Sequence, residues 1–296
     1  MNFNMHLSRR PFLISLASLV ALTSALVVGC GTVPETASIS KPDPQTVAAL
    51  APTGTLRIGV YKGSPSSLVT AVDGKPAGVA HDVGQVMATQ LGVPAQVVVF
   101  DRIALVLEAL KAGKVDMTFT NASPARQREF AFTQPMLSLE LGYLVPSNGK
   151  LQAIANADAA GLRIGVSAGS SSQAALGGAF KATKLATYAS LDLAKAALQK
   201  GEIDAFATNK GILNELVDDL NKSGSNTSPL FKILDGRWGY EHMGIAIPLE
   251  RGIQSPAALT FVGGLGRDLK ASGELTKMAE RAGLRGTVNV NTGVMK

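Results

Sequence analysis

A single cysteine, Cys30, and three histidines, His6, His81 and His242, stand in a chain of 296 residues. One thiol excludes a disulfide scaffold, and so small a stock of thiol and imidazole argues against a zinc cluster; no metal and no cofactor is expected. Charged residues make up only 17% of the chain and aromatics 5%. No Lys/Arg run or aromatic–basic stripe is present, so nucleic acid is not an expected partner. Long apolar runs are scarce too: there is one, at the extreme N-terminus, which excludes a multi-span membrane protein. What the chain does have is apolar mass. Hydrophobic residues at 46% exclude wholesale disorder. At roughly 100–200 residues per domain, the length suits one large or two medium domains.

Ser8-Arg9-Arg10-Pro11-Phe12-Leu13 precedes the apolar run, which ends near Val28 and is interrupted by Ser and Thr. A positive start, a modest apolar stretch and small residues before a cut site describe an export signal over residues 1–29. A retained transmembrane anchor needs about 20 apolar residues, more than this run supplies. The paired arginines resemble a twin-arginine signal and also occur in general secretory signals, so both routes stay open. Val27-Val28-Gly29-Cys30 resembles a bacterial lipobox, whose cysteine becomes the lipidated first residue. Several acyl chains, at about 0.8 kcal/mol per buried CH₂, anchor stably. Loss of residues 1–29 removes two arginines and no acids, leaving 26 basic and 22 acidic residues, a net charge of +4. Residues 30–53, with Pro34, Pro42, Pro44 and Pro52, read as a flexible tether that could hold one helical turn at 46–50.

The chain then repeats itself. Leu56-Arg57-Ile58-Gly59-Val60 recurs as Leu162-Arg163-Ile164-Gly165-Val166, each followed at the same offset by Gly-Ser (Gly63-Ser64, Gly169-Ser170) and further serines. Ala109-Leu110-Lys111-Ala112-Gly113-Lys114-Val115-Asp116 is echoed by Ala197-Leu198-Gln199-Lys200-Gly201-Glu202-Ile203-Asp204, and each echo runs into an apolar strand ending in Asn, at Asn121 and Asn209. Two equivalent lobes are implied. Each parses as alternating strand and helix: strands at 55–60, 96–100 and 115–120 with helices at 79–91 and 103–111, then strands at 162–166, 185–188 and 203–208 with helices at 171–180, 191–200 and 211–220. Such alternation predicts open, mostly parallel α/β sheets, which bind ligands beyond the carboxyl ends of their strands. The Gly-Ser loops and both Asn residues lie at such ends.

Gly54-Thr55-Leu56-Arg57-Ile58-Gly59-Val60, Asp73-Gly74-Lys75-Pro76-Ala77-Gly78, Leu110-Lys111-Ala112-Gly113-Lys114-Val115-Asp116, Ser123-Pro124-Ala125-Arg126 and Phe130-Ala131-Phe132-Thr133-Gln134-Pro135 are similar, in order and spacing, to solute-binding proteins of family 3, the polar-amino-acid receptors of bacterial ABC importers. The resemblance spans roughly residues 54–284. It implies a type II periplasmic-binding-protein clamshell with two crossover hinge strands. Lobe 1 would comprise residues 54–142 and the returning 243–296, and lobe 2 residues 143–242, with rotation near 143–146 and 243–248.

The same resemblance implies a site. Arg126 would grip a ligand carboxylate through the parallel bonds a guanidinium offers. Thr120, Asn121 and Ser123 fall on the adjoining loop, where turn chemistry is the alternative for Asn121 and Ser123. Ser167, Ser170, Ser171 and Ser172 bracket a helix start, which favours an anion, while one of them serves as its cap. The family's ammonium-binding Asp is Asn209 here, and its aromatic shelf is Ser64, for which Tyr61 is a possible substitute. The carboxylate grip is thus kept and the ammonium grip weakened, which favours a modified amino acid or a small organic anion. The adjacent pairs His81-Asp82 and Glu241-His242 read as surface or hinge residues, because neighbours in sequence do not face each other on regular elements.

The function expected is that of an exported, lipid-anchored receptor, monomeric, delivering a small carboxylate-bearing solute to an ABC permease in the inner membrane. An enzyme resembling cyclohexadienyl dehydratase on the same clamshell is the rival, disfavoured because no cleft carboxylate stands out. A sensor subunit without transport is the third reading. Cys30→Ala should leave the protein unlipidated and release it from membranes. Metabolic labelling with a fatty-acid analogue checks this, and label persisting in the variant refutes the lipobox.

Overall fold

The computed structural model describes residues 42–222 and 230–288. The export signal, Cys30 and the tether up to residue 41 lie outside the described residues. In chain order the elements are α1 (Pro44–Leu50), β1 (Leu56–Tyr61), β2 (Val69–Thr70), β3 (Pro76–Ala77), α2 (Val79–Leu91), β4 (Ala95–Phe100), α3 (Ile103–Lys111), β5 (Thr118–Asn121), α4 (Pro124–Gln127), β6 (Phe130–Phe132) and β7 (Leu137–Pro146). A 3₁₀ turn at Ile154–Asn156 follows, then β8 (Arg163–Ser167), α5 (Ser171–Ala179), β9 (Lys184–Tyr188), α6 (Leu191–Gln199), β10 (Ala205–Asn209), α7 (Lys210–Lys222), β11 (Phe231–Ile233), β12 (Gly239–Pro248), α8 (Leu249–Gln254), α9 (Pro256–Ala271), α10 (Glu274–Arg281) and β13 (Thr287–Val288).

Local chemistry explains most element ends. Val79, Val83, Met87 and Leu91 form the buried stripe of α2, which Gly92 closes in the left-handed region at φ 70°. The hydroxyls of Ser170 and Ser190 accept the N–H of Gln173 and Leu193 and cap α5 and α6. One stretch departs from expectation. Residues 44–51 are not tether: Asp43 caps α1 through the Thr46 N–H at 2.9 Å, Pro44 opens it, and Leu50 is wholly buried against the first lobe's core. Burying one leucine contributes roughly 1.5–3 kcal/mol, enough to dock a single turn that proline content alone would mark as linker.

The first lobe joins β1 to β4 in parallel and to β5 through the Ile58–Met117 bridge; β5 and β6 both pair antiparallel with β12. Helices α1, α2, α9 and α10 cover one face, and α3 packs on the other with Phe130 and Ala246. The second lobe runs β9-β8-β10 in parallel, then β7 and β11 antiparallel. Leu176 of α5 buries on one face, α6 and α7 on the other. The fold is the expected two-lobed α/β clamshell, but its sheets are mixed where a mostly parallel arrangement was expected. The reason is that β7 and β12, the two strands that cross between lobes, enter both sheets antiparallel.

Those ten-residue strands pair with each other only over 137–141 and 239–243. Residues 141–146 of β7 are already bonded into β10 and β11, and residues 243–248 of β12 into β5 and β6. The segments 143–146 and 243–248 therefore sit inside lobes. The stretch that the two crossovers share lies around Ser138 and His242, whose side chains meet at 2.7 Å, and β13 pairs with β7 along its other edge there. The adjacency argument also fails at one pair. His81 Nδ1 lies 2.7 Å from Asp82 Oδ1, and Asp82 also binds Arg281, so the cluster ties α2 to α10, away from the cleft.

The sequence repeat has a physical counterpart. In the first lobe the Arg57 backbone N–H, Nε and Nη2 all donate to Asp116, at 2.8, 2.8 and 2.6 Å. In the second, the same three groups of Arg163 donate to Asp204 at 2.9, 3.1 and 3.1 Å. The repeated glycines match as well: a Cβ on Gly59 would meet Val106 at 2.9 Å, and one on Gly165 would meet Ile203 at 2.5 Å. Burial alone would raise the Asp204 carboxyl; its bonds to Arg163 and Lys150 outweigh that and hold it below the ordinary value. Its stabilisation is complete above the ordinary carboxylate pKa of about 4 and is lost as pH falls through the lowered one.

The two clamps differ in depth. Asp116 is fully buried and also binds Arg251 at 2.7 Å, whereas the Arg163 side chain is 43% exposed. Asp116→Ala should therefore cost roughly 3–5 kcal/mol by stranding two guanidinium groups. Asp204→Ala should cost about 1–2 kcal/mol, mainly in lost hydrogen bonds. Urea unfolding of the two variants checks the ranking.

Candidate functional site

The carboxyl ends of β1, β5, β8 and β10 converge on one cleft between the lobes. Its walls include Tyr61, Thr120, Asn121 and Arg126 from the first lobe and Ser167, Ser170, Ser171 and Asn209 from the second. Ser123 lies just outside, lining a neighbouring groove with Arg126, Ser170 and Ser171. The sites anticipated from sequence are thus brought together, with that one displaced to the rim.

Arg126 is placed by α4, a four-residue helix opened by Pro124 and capped by Ser123, whose Oγ accepts the Arg126 N–H. Its Nη1 donates to Thr120 Oγ1 at 2.8 Å and to the Asn121 carbonyl at 3.4 Å, both neutral acceptors. Burial lowers the guanidinium pKa, while the Glu241 carboxylate and the Tyr61 phenol oppose the shift. An arginine stays protonated regardless, so the group is a charge held in poor solvent. Tyr61 donates its hydroxyl to Ser64 Oγ at 3.2 Å, and burial raises its pKa.

The two Gly-Ser loops have diverged. In the first, Ser64 and Ser66 bond each other at 3.0 Å and Ser67 accepts the Tyr61 N–H at 2.8 Å, so its hydroxyls are used up within the loop. In the second, Ser170 is the cap of α5 and Ser171 reaches the cleft, donating to Glu241. Ser172 turns inward, buried and without a partner.

Glu241 is the residue the sequence reading missed. It is 7% exposed, lines the cleft from β12, and accepts from Asn209 Nδ2 at 3.0 Å as well as from Ser171. The statement that no cleft carboxylate stands out is therefore overturned. Asn209 does not leave the site without an acid; it holds one supplied by the crossover strand, while its own Oδ1 accepts the Ile212 N–H at 3.1 Å. The signal available in sequence was the period of two along β12, which puts Glu241 and Met243 on one face, and both line the cleft. Asp101, Arg102 and Ile103 at the start of α3 line it too. Among the described residues no cluster of acidic, histidine or cysteine side chains could hold a metal ion.

The cleft is shut. The space at its centre that water can enter is about 30 Å³, room for one or two waters and not for an amino acid. The walls touch across it: a Cβ on Gly169 would lie 2.5 Å from Ala104 Cβ, and one on Gly63 3.0 Å from Leu191 Cδ1.

A two-lobed α/β clamshell with polar groups of both lobes meeting in its cleft is the architecture of a bilobal binding protein. Over residues 56–283 the chain matches bacterial extracellular solute-binding proteins, family 3, and it belongs to that family. A membrane-bound lytic murein transglycosylase F from Maricaulis maris (strain MCS10) is 33% identical over 118 residues, covering 39% of this chain; the chain spans about a quarter (25%) of that protein. Among solved structures, a mutant of ArgBP from T. maritima aligns at TM-score 0.67 and 20% identity, over 79% of this chain and 97% of its own. A solute receptor for L-cysteine of Neisseria gonorrhoeae aligns at TM-score 0.67 and 23% identity, over 80% and 92%. The ancestral amino acid-binding protein AncCDT-1, a precursor of cyclohexadienyl dehydratase, aligns at 0.64 and 21%, over 79% and 98%. These structures share the fold.

Because Ala104 meets Gly169 across the cleft mouth, Ala104→Trp should wedge the lobes apart. Solution scattering should show a larger radius of gyration than the parent chain. Stability should change by about 0.5 kcal/mol or less, since α3 presents this position at its surface. An unchanged radius would mean that the lobes meet elsewhere.

Proposed function

We propose that this chain is the substrate-binding lipoprotein of an ABC importer, exported to the periplasmic side, lipid-anchored to the membrane through Cys30 and binding an amino acid or related small carboxylate between its lobes. The observation that carries this reading is the pairing of opposite charges in one cleft. Arg126 offers a guanidinium bonded only to neutral acceptors, and Glu241 offers a carboxylate on the adjoining crossover strand. A zwitterion complements both. Of the two ligands favoured by sequence reading, a modified amino acid that keeps its ammonium fits, and a small organic anion fits less well, since it would leave Glu241 without a cation on the ligand. Closure would turn on the ribbon around residues 137–141 and 239–243, carrying Ser167, Ser171 and Asn209 onto a ligand first held by lobe 1. Family membership and the amino-acid-binding neighbours support the same reading, and delivery to a permease follows from it.

An enzyme on the same clamshell is the second reading, favoured by one observation: the buried Glu241 is the cleft acid that such chemistry requires. Titration calorimetry with a panel of L-amino acids separates the two, because binding gives heats that saturate and turnover gives heat that continues. For the receptor, Arg126→Ala should weaken the best ligand at least tenfold, about 1.4 kcal/mol, and Arg126→Lys should recover only part. Parent-like affinity in Arg126→Ala would refute the assignment of the carboxylate site.

A further inference from the structure

The reading above uses Arg126 and Glu241, but a third charged group borders the same cleft. Arg102 is the residue immediately before α3, partly buried, and lines the cleft with the other two. Its Nε is shut off from solvent and has no hydrogen-bond partner.

The rest of the fold shows how unusual that is. Arg57 and Arg251 share Asp116, Arg163 holds Asp204, and Arg281 holds Asp82. Arg128 and Arg267, which have no such acid, lie exposed to water. Among the described arginines, only Arg102 and Arg126 are partly buried with no carboxylate at ion-pair distance, and both face the cleft. Asp101, beside Arg102, is exposed and makes no ion pair with it; across water its charge is heavily screened. A guanidinium donor kept out of water without a partner favours whatever anion can reach it.

We infer that the solute is an acidic amino acid, its α-carboxylate on Arg126, its ammonium on Glu241 and its second carboxylate on Arg102. The inference rests on the reading of the cleft as an amino-acid site and names the substrate class. With the exposed, screened Asp101 set aside, the charges complement one for one: Arg102, Arg126 and Glu241 in the cleft, two anions and one cation on the ligand. A neutral amino acid leaves the Arg102 donor unpaired, and a basic one sets like charges together. A dicarboxylate without an amine leaves Glu241 facing two more negative charges. Each mismatch works against the wrong solute, which is how a charged site gains selectivity.

Calorimetry on the purified full-length chain, with L-glutamate, L-aspartate, L-glutamine, L-arginine and succinate, tests this. L-glutamate or L-aspartate should bind at least tenfold more tightly than the other three. Arg102→Gln should remove at least tenfold of that affinity and leave L-glutamine within twofold. Arg102→Lys, which keeps the charge but loses the fork, should lose about threefold or more for the acidic ligand alone, and it supplies the measurement if Arg102→Gln does not fold. Tighter binding of L-glutamine or L-arginine would overturn this inference and leave the amino-acid reading standing. Succinate equal to L-aspartate would overturn the assignment of Glu241 to the ammonium. Unchanged L-glutamate affinity in either Arg102 variant would overturn the role of Arg102. No binding heat from any of the four amino acids would overturn the inference and the underlying reading together.

Discussion

The arginine–aspartate clamp at the base of each lobe is the constraint on which the site depends. Arg57 sits at the start of β1 and Asp116 just ahead of β5; three bonds between them fix the side-by-side placement of two neighbouring strands. A strand rises about 3.3 Å per residue, so the register set at Arg57 is delivered about 13 Å away at Tyr61, and that set at Asp116 arrives at Asn121. Arg163 and Asp204 do the same for Ser167 and Asn209. The clamps are remote from the cleft, yet they determine which side chains stand at the strand ends that form it.

This division of labour explains what the sequence revealed and what it hid. The clamps, the packed glycines and the helix caps depend on contacts between fixed residue types at fixed spacings, so they left a visible repeat and bounded the helices to within a residue or two. The loop bearing Arg126 was legible for the same reason, since Ser123 and Pro124 are local instructions for a short capped helix. Glu241 carries only the weak local signature of alternation along β12, which does not say which face meets the cleft. Its place in the cleft follows from how β12 pairs with β5 and β7, a long-range register that the alternation alone does not fix. The docking of α1 was hidden in a similar way: its prolines and polar neighbours look like linker, and only the receiving surface against Leu50 makes it part of the domain. Arg102 was hidden because an arginine ahead of a helix looks like any solvated charge until the burial of its Nε is known.

The pivot position has the same origin. The family resemblance was enough to place the two crossovers, but their freedom depends on which residues are bonded on both sides. Most of β7 and β12 is tied into one lobe or the other, and only the short antiparallel ribbon is shared. Which stretch belongs to both lobes is set by these long-range pairings, with β13 along one edge, and composition does not report that.

Moving the cleft acid from the second lobe to the crossover strand has a mechanical consequence. In a rotation about the ribbon, points on the ribbon move least and points at the lobe tips most. Glu241 belongs to the ribbon, and Arg126 is mounted on the first lobe beside it, so their separation is nearly the same whether the lobes are apart or together. An acid on the second lobe, where Asn209 stands, would approach the ligand only on closure. On the proposed reading both charges are arranged beforehand, and the ordering cost that weakens most binding would be met in folding instead of in association. Ser171 and Asn209, which hold Glu241 in the shut cleft, would be the groups that move in such a rotation. On the proposed reading the second lobe would contribute neutral donors that sense whether the carboxylate is already engaged, and the charge that selects the solute would stay with the part of the molecule that turns least.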